Sequence, residues 1–504
     1  MSEFGDLKVR MGRKPLTVVE LDLDFCANRY GNAPCVAAVG VTGDVKCFNT
    51  FKTCQDRSHF DKRVKTYRLT TLYPDLPVGD QVYPCIKDVS IAPTKIEMKG
   101  ISLRASVTIT CMDFPDHDRG LDPYAKERPD APGTFFGKLK RRNPYVVNRP
   151  IRVIPSYLGE DGKVYGEIHH YLIQSIDGPD SNGRVVIKAK DVLTLGDEEK
   201  AKAPIQSSGK LVSGITKDAS LLALYPTGIV NKNTHTGFIR IGDEVIGYSG
   251  KNQNGLTGLQ RGLFNSVAVD HAADDKVQAC LSYADADIAD LVSEWLMTYA
   301  GVDPLMIPLE DWREECRTWL GMTKLTGLIT EPTGVNKLVE ELQDSTGSVF
   351  WWDERRKQIR FKVLQIPMAS SPPRQLTDKN DIIKGSLKIV EKEQDRRTRV
   401  SFFYHLTRQW DGVKDDNFSG VHVSINADAE SEFAYDEEKE LKVLSRWLSI
   451  EAVAGDISDR ALRRKTRELH RLLLPRGLEY AGLLKVFASP LVLGSRVYQV
   501  RITK

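Results

Sequence analysis

Four cysteines at positions 26, 35, 47 and 54, spaced C-x8-C-x11-C-x6-C within 29 residues, constrain this chain more than any other feature. Cys85, Cys111, Cys280 and Cys316 are scattered, and uniform scatter of eight cysteines over 504 residues would place fewer than about one in such a window. Between the clustered cysteines the chain is polar, with turn signals at Gly31-Asn32-Ala33-Pro34 and Thr42-Gly43-Asp44. So little apolar surface cannot form a core, and something else must hold the segment. Four thiolates are soft ligands that suit a tetrahedral zinc or a 4Fe–4S cluster. Zinc sites commonly pair ligands two to four residues apart, and no gap here is that short. An iron–sulfur cubane takes its cysteines from longer loops. The plain alternative is four ordinary buried or oxidised cysteines, although disulfides do not persist in a cytoplasm.

The rest of the chain reads as α+β, β-dominated and multidomain. Its 504 residues suggest about three or four domains. No apolar run approaches the ~18–20 residues of a membrane span, and the first twenty residues carry charges but no signal-peptide core, so cytoplasmic synthesis is expected. With 71 Lys+Arg against 68 Asp+Glu, the net charge of +3 excludes a general nucleic-acid binder. Residues 1–75 form the four-Cys segment, entered by an alternating strand from Leu16 to Phe25. Residues 76–195 read as a β-barrel or sandwich with an inserted loop at 113–132; strands are expected at 101–111, 151–157, 164–174 and 184–188. A linker at 196–214 leads to a β module at 215–283, with a hairpin turning at Gly242-Asp243. Residues 284–430 form an α+β part with helices near 288–299 and 335–342, the second running into a hairpin at 348–363, then strands at 382–390 and 400–404. Residues 431–504 carry helices at about 436–450 and 457–474 and a closing strand at 495–502.

Two stretches are familiar. Cys26-Ala-Asn-Arg-Tyr-Gly-Asn-Ala-Pro-Cys35, with Lys46-Cys47-Phe48-Asn49-Thr50 and Thr53-Cys54-Gln55-Asp56, resembles the tail-tip hub family of long-tailed bacterial viruses and gene transfer agents. That family includes lambda-type tail tip proteins whose cysteines hold a 4Fe–4S cluster. The outer gaps agree with the family pattern, whereas the central gap is shorter and the segment is N-terminal instead of C-terminal. Ile241–Tyr248, Leu256–Gly262 and Ala268–His271 are similar to a recurring tail-protein β module in which a His follows an Arg-Gly by ten residues, here Arg261 and His271. The resemblance implies tail-tube-like β-barrel domains and a structural hub protein in the virion tail tip, assembled in the host cytoplasm. It implies a homotrimer between a distal tail protein ring and a central fibre or spike protein, near the tape-measure protein, with DNA passing only transiently. The ligands it implies are Cys26, Cys35, Cys47 and Cys54.

Enzyme signatures are absent: there is no His-Glu-x-x-His, G-x-S-x-G, Walker loop or G-x-G-x-x-G. A cytoplasmic redox or zinc-dependent enzyme using the same cysteines is the alternative. His169 and His170 are neighbours in a strand and face opposite ways, which suits no shared metal. The basic stretches 138–142 and 460–471 could face DNA, but nearby Asp456, Asp459 and Glu468 favour a solvated or interface face. His271 reads as a loop anchor, and Trp351-Trp352 as a hairpin with one ring buried.

Overall fold

The computed structural model describes residues 3–10, 12–71, 81–92, 105–118, 122–127, 132–197, 199–226, 234–321, 323–364, 388–391, 397–427, 439–465, 486–487 and 498–501. The architecture is mixed α+β and strand-dominated. The chain divides into two compact units. Unit 1 comprises Met1–Thr94, Arg104–Thr194 and Trp352–Gln358; unit 2 comprises Lys95–Leu103, Leu195–Trp351 and Ile359–Lys504.

Unit 1 is built on nine strands: β1 Lys14–Cys26, β2 Lys62–Thr70, β3 Val82–Tyr83, β4 Ile86–Ala92, β5 Ser106–Met112, β6 Pro150–Leu158, β7 Val164–Gly166, β8 His169–Asp177 and β9 Arg184–Lys190. They pair in the order β3-β2-β1-β6-β8-β9-β5-β4, with β7 added to β6. The alternation in β1 explains its central place. Val19, Leu21 and Leu23 face the core, whereas Glu20 takes Arg68 (2.9 Å) and Arg152 (2.7 Å) on the opposite face. Arg152 also reaches Asp22.

The expected barrel is not closed. No ladder joins β3 to β4 among the described residues. Yet only Pro84 and Cys85 separate these two edges in sequence, so the sheet must curl until its ends meet at one seam. Closure by hydrogen bonding fails because β3 is only two residues long and pairs in parallel with β2. The interior is filled by helix α1 (Phe135–Arg142). Phe135, Phe136 and Leu139 are fully buried, and the Phe135 ring packs against Tyr83 at 4.3 Å and Phe114 at 5.2 Å. The expected strand over 101–111 is β5 in its described part; residues 101–104 lie outside the described residues. His169 and His170 open β8, and the Trp352 indole N–H donates to the His170 carbonyl at 2.8 Å. Trp352 is buried and Trp351 half-buried.

In unit 2 an eight-stranded antiparallel sheet runs in the order Gly250–Lys251, Gly255–Thr257, Leu221–Tyr225, Gly209–Leu211, Lys276–Ala279, Gly237–Ile241, Glu244–Tyr248, Gln260–Leu263. The end of the expected linker, at Gly209–Leu211, is therefore one of its inner strands. The hairpin Gly237–Ile241/Glu244–Tyr248 turns at Gly242, whose φ of 57° is why glycine stands there. Helices follow at Ile288–Glu294, continuing as a π turn to Tyr299, and at Leu309–Trp319 and Val335–Thr346; the last is stopped by Gly347 at φ 65°.

The helix expected over 436–450 is replaced, in its described part, by the strand Glu440–Leu444, which pairs in parallel with Arg399–Leu406. Its residues Leu441, Val443 and Leu444 fit a helical stripe as well as a strand, and the ladder decides between them. The second expected helix begins at Glu451 and is described to Lys465; the remainder lies outside the described residues. Of the two strands near 382–390 and 495–502, the described parts are Lys388–Glu391 and Tyr498–Arg501, which pair antiparallel.

Candidate metal centre

Cys26 ends β1, and its Cα partner across the ladder is Lys62, the first residue of β2. The four-cysteine segment is thus a long hairpin loop, residues 27–61, set between two adjacent strands. It contains only the short 3-10 turns Phe51–Thr53 and Arg57–His59. Cys26, Cys35, Cys47 and Cys54 are all free thiols, and all four line one small pocket that is partly open to solvent.

Local hydrogen bonds bring the four together. Asn49, at φ 56°, donates through Nδ2 to the Cys26 carbonyl (2.9 Å) and the Asn28 carbonyl (3.0 Å), while its own carbonyl accepts from the Cys26 N–H at 2.7 Å. Cys47, two residues before Asn49, is thereby held beside Cys26. Asp56 does the same for the other pair. Its carboxylate accepts from the Val36 N–H at 2.9 Å and from Ser58 Oγ at 2.8 Å, which ties the chain after Cys35 to the chain after Cys54. The Val36 N–H, then His59 and Ser58, hold the Asp56 carboxyl down at about 2. Gln55 bridges the turn, accepting from the Tyr30 hydroxyl at 2.8 Å and donating to the Val45 carbonyl at 2.6 Å. The loop is also fixed to its own unit: Thr50 Oγ1 donates to the Arg142 carbonyl at 2.8 Å, and the Arg142 guanidinium lies 3.8 Å over the Phe48 ring.

Burial and mutual repulsion hold the Cys47 and Cys54 thiols above their ordinary value, so without a bound cation they favour the neutral form. Burial raises the Cys47 thiol most, the Asn49 backbone N–H lowers it, and the other three thiols raise it further. Cys54 behaves alike: burial raises it, the Asp56 backbone N–H lowers it, and Cys26 and Cys35 raise it. Two sulfurs therefore meet a backbone N–H two residues on, a contact that tunes metal-bound thiolates, and the sulfurs sense one another's charge. Among the described residues no group of three or more His, Cys, Asp or Glu side chains is arranged to hold a metal ion. Four cysteine thiols are a donor set shared by a structural zinc site and a 4Fe–4S cluster.

The second anticipated constellation has an anchoring geometry. Arg261 and His271 meet on Glu244, a residue that sequence reasoning did not single out. Arg261 is bidentate to it (Nε 2.7 Å, Nη2 2.8 Å), the N–H groups of Gly262 and Val269 donate at 3.0 and 3.1 Å, and His271 Nε2 lies at 2.9 Å. The constant interval between Arg and His was the available signal; the carboxylate that both need lies far enough upstream to be invisible to it. The basic stretch 138–142 is largely internal. Lys138 and Arg142 are buried against Asp118 at 3.0 and 2.8 Å, inside the loop expected at 113–132. Arg460 pairs with Asp456 at 2.9 Å, and the side chains from 463 to 471 lie outside the described residues.

No protein-family model and no curated protein matches the chain. Among solved structures it is similar to the 43 kDa tail protein of prophage MuSo2 from Shewanella oneidensis, at 7% identity and a TM-score of 0.32, over 83% of this chain and 98% of that one. It is also similar to the prophage tail protein gp18 from Listeria monocytogenes EGD-e, at 9% identity and a TM-score of 0.26, over 71% and 87% of the two chains.

Proposed function

We propose that this chain is a structural tail-tip protein, the hub of a long-tailed bacterial virus, and that Cys26, Cys35, Cys47 and Cys54 hold a 4Fe–4S cluster. One observation carries the cluster reading: four free thiols from a loop without a core line a single cavity. Ala37 is the one buried apolar residue of loop 27–61, while Val36, Val39, Val41 and Val45 are exposed. A bound cluster supplies folding free energy to such a loop by joining thiolates far apart in sequence. Asn49 and Asp56 orient the sulfurs, and Thr50 and Arg142 fix the loop against helix α1.

The hub reading rests on the cysteine motif and on the Arg261–His271 module, both of which resemble tail proteins. It makes the chain a non-catalytic part of the virion, assembled in the host cytoplasm. Its partners would be further copies of itself in a trimer, the distal tail ring, the central fibre or spike, and the tape-measure protein. Anaerobic purification tests the cluster: about four irons and four labile sulfides per chain, with absorbance near ~400 nm, are expected. Stoichiometric zinc without iron overturns it in favour of a zinc site on the same cysteines. Antibody labelling of purified particles tests the position, and label anywhere but the tail tip refutes the hub.

A further inference from the structure

The core of unit 1 holds a second pair of thiols that the metal site does not use. Cys85 lies in the turn between the edge strands β3 and β4, and Cys111 lies near the end of β5. Ile86 is the Cα partner of Cys111, and the Met112 N–H donates to the Cys85 carbonyl at 2.9 Å, so the two cysteines sit one rung apart on facing chains. Both are free and belong to one core cluster, 6% and 0% exposed, and their thiols share a hydrogen bond. Facing antiparallel residues have Cα atoms about 4.5–5.5 Å apart, and a step of about 3.4 Å along the strand puts diagonal neighbours such as these about 5.6–6.5 Å apart. That spacing lies within the roughly 4.4–6.8 Å that a disulfide spans.

We propose that Cys85 and Cys111 are a modification site: a low-molecular-weight disulfide converts them into an intramolecular disulfide that pins the β3–β4 turn to β5. Cys85 is the entry point, being the less buried of the two and preceded by the exposed Pro84. Its thiolate attacks one sulfur of the small disulfide, breaking that S–S bond, forming a mixed disulfide and releasing one small thiolate. The Cys111 thiolate then attacks the Cys85 sulfur and releases the second. Two protein thiols are oxidised to one disulfide, one small disulfide is reduced to two thiols, and the two protons leave to solvent or to the released thiolates. The link joins the β3–β4 turn to β5 beside the first rung of the β4–β5 ladder.

The test treats the full chain, purified anaerobically in its native state, with cystamine, once in buffer and once in urea below the unfolding transition. Acid quench, alkylation under denaturing conditions and peptide mapping follow. A Cys85–Cys111 linked peptide as the main product is expected, with exchange of the β4 amides slowed by about tenfold or more. Cys280, whose thiol faces the Gln278 carbonyl at 3.9 Å, and Cys316 are the controls and should stay alkylatable. In Cys111→Ser the mixed disulfide should accumulate on Cys85. Three results overturn the proposal: both thiols still alkylated in both conditions, a cysteamine adduct on Cys85 beside free Cys111 in the native sequence, or links from either residue to Cys26, Cys35, Cys47 or Cys54.

Discussion

Replacing Glu244 should open the β module of unit 2 locally, and its surroundings allow the size of the effect to be worked out. The Glu244 side chain is 0% exposed, that of Arg261 8% and that of His271 6%. Glu244→Ala leaves the guanidinium buried without its carboxylate and strips acceptors from two backbone N–H groups. Breaking one side of a buried ion pair costs about 3–5 kcal/mol. At 1.4 kcal/mol per decade, opening of the module rises roughly 100- to 4000-fold. Hydrogen exchange followed by mass spectrometry on the full chain reads this directly, because it resolves local opening inside a chain with several units. The reporter amides are those of Gly237–Ile241 and Lys276–Ala279, which pair with each other beside the clamp. Glu244→Gln should fall lower, at about 1–3 kcal/mol for each donor left facing the amide nitrogen. His271→Gln, which keeps a donor, should change exchange by less than about tenfold. Burial raises the Glu244 carboxyl, but Arg261, the Val269 N–H and His271 outweigh it and leave its pKa below the ordinary value. Its contribution is therefore complete above about pH 4.3, the unfolded value, and disappears as pH falls through the lowered folded value. A change in exchange below about threefold for Glu244→Ala would refute the clamp as the element that holds these loops.

Asn49→Ala should weaken metal retention, measured as iron released to a chelator. Asn49→Gly should lose less, because a left-handed backbone costs alanine about 1 kcal/mol or more and glycine almost nothing. Asp56, held at about 2 by the Val36 N–H, His59 and Ser58, should keep the Val36 amide protected above about pH 3.9 and release it as pH falls through its folded value. Asp56→Asn should abolish that pH step, as amide exchange would show. Phe135→Ala removes the ring packed inside the curled sheet and should destabilise unit 1 by about 3–5 kcal/mol, seen as an earlier calorimetric transition.

Features that depend on residue type and local spacing were readable in the sequence. The four cysteines announce themselves because no other side chain offers the same chemistry, and they do line one cavity. The hairpin at Gly242 follows from a turn that needs a positive φ. What escaped depends on partners distant in sequence. Glu244 sits in an apolar strand and becomes the centre of its module only when two loops fold over it. Lys138 and Arg142 look like a surface patch until Asp118 is brought beneath them. Glu440–Leu444 suits either period, and only the ladder with Arg399–Leu406 decides it. Asn49 and Asp56 are common turn residues whose importance lies in the chain segments they tie together.

The position of the cysteine loop has a consequence for exchange of parts between proteins. Its two ends, Cys26 and Lys62, are already register partners, so the ladder beneath does not depend on what lies between them. A two-residue type I′ turn would rejoin the strands with every pairing of β1 intact. The same geometry lets a different hairpin accept the loop, because any adjacent antiparallel pair offers ends at the right separation. The cysteine loop is thus a cassette with standard connectors, and its cysteines travel together wherever a hairpin accepts it.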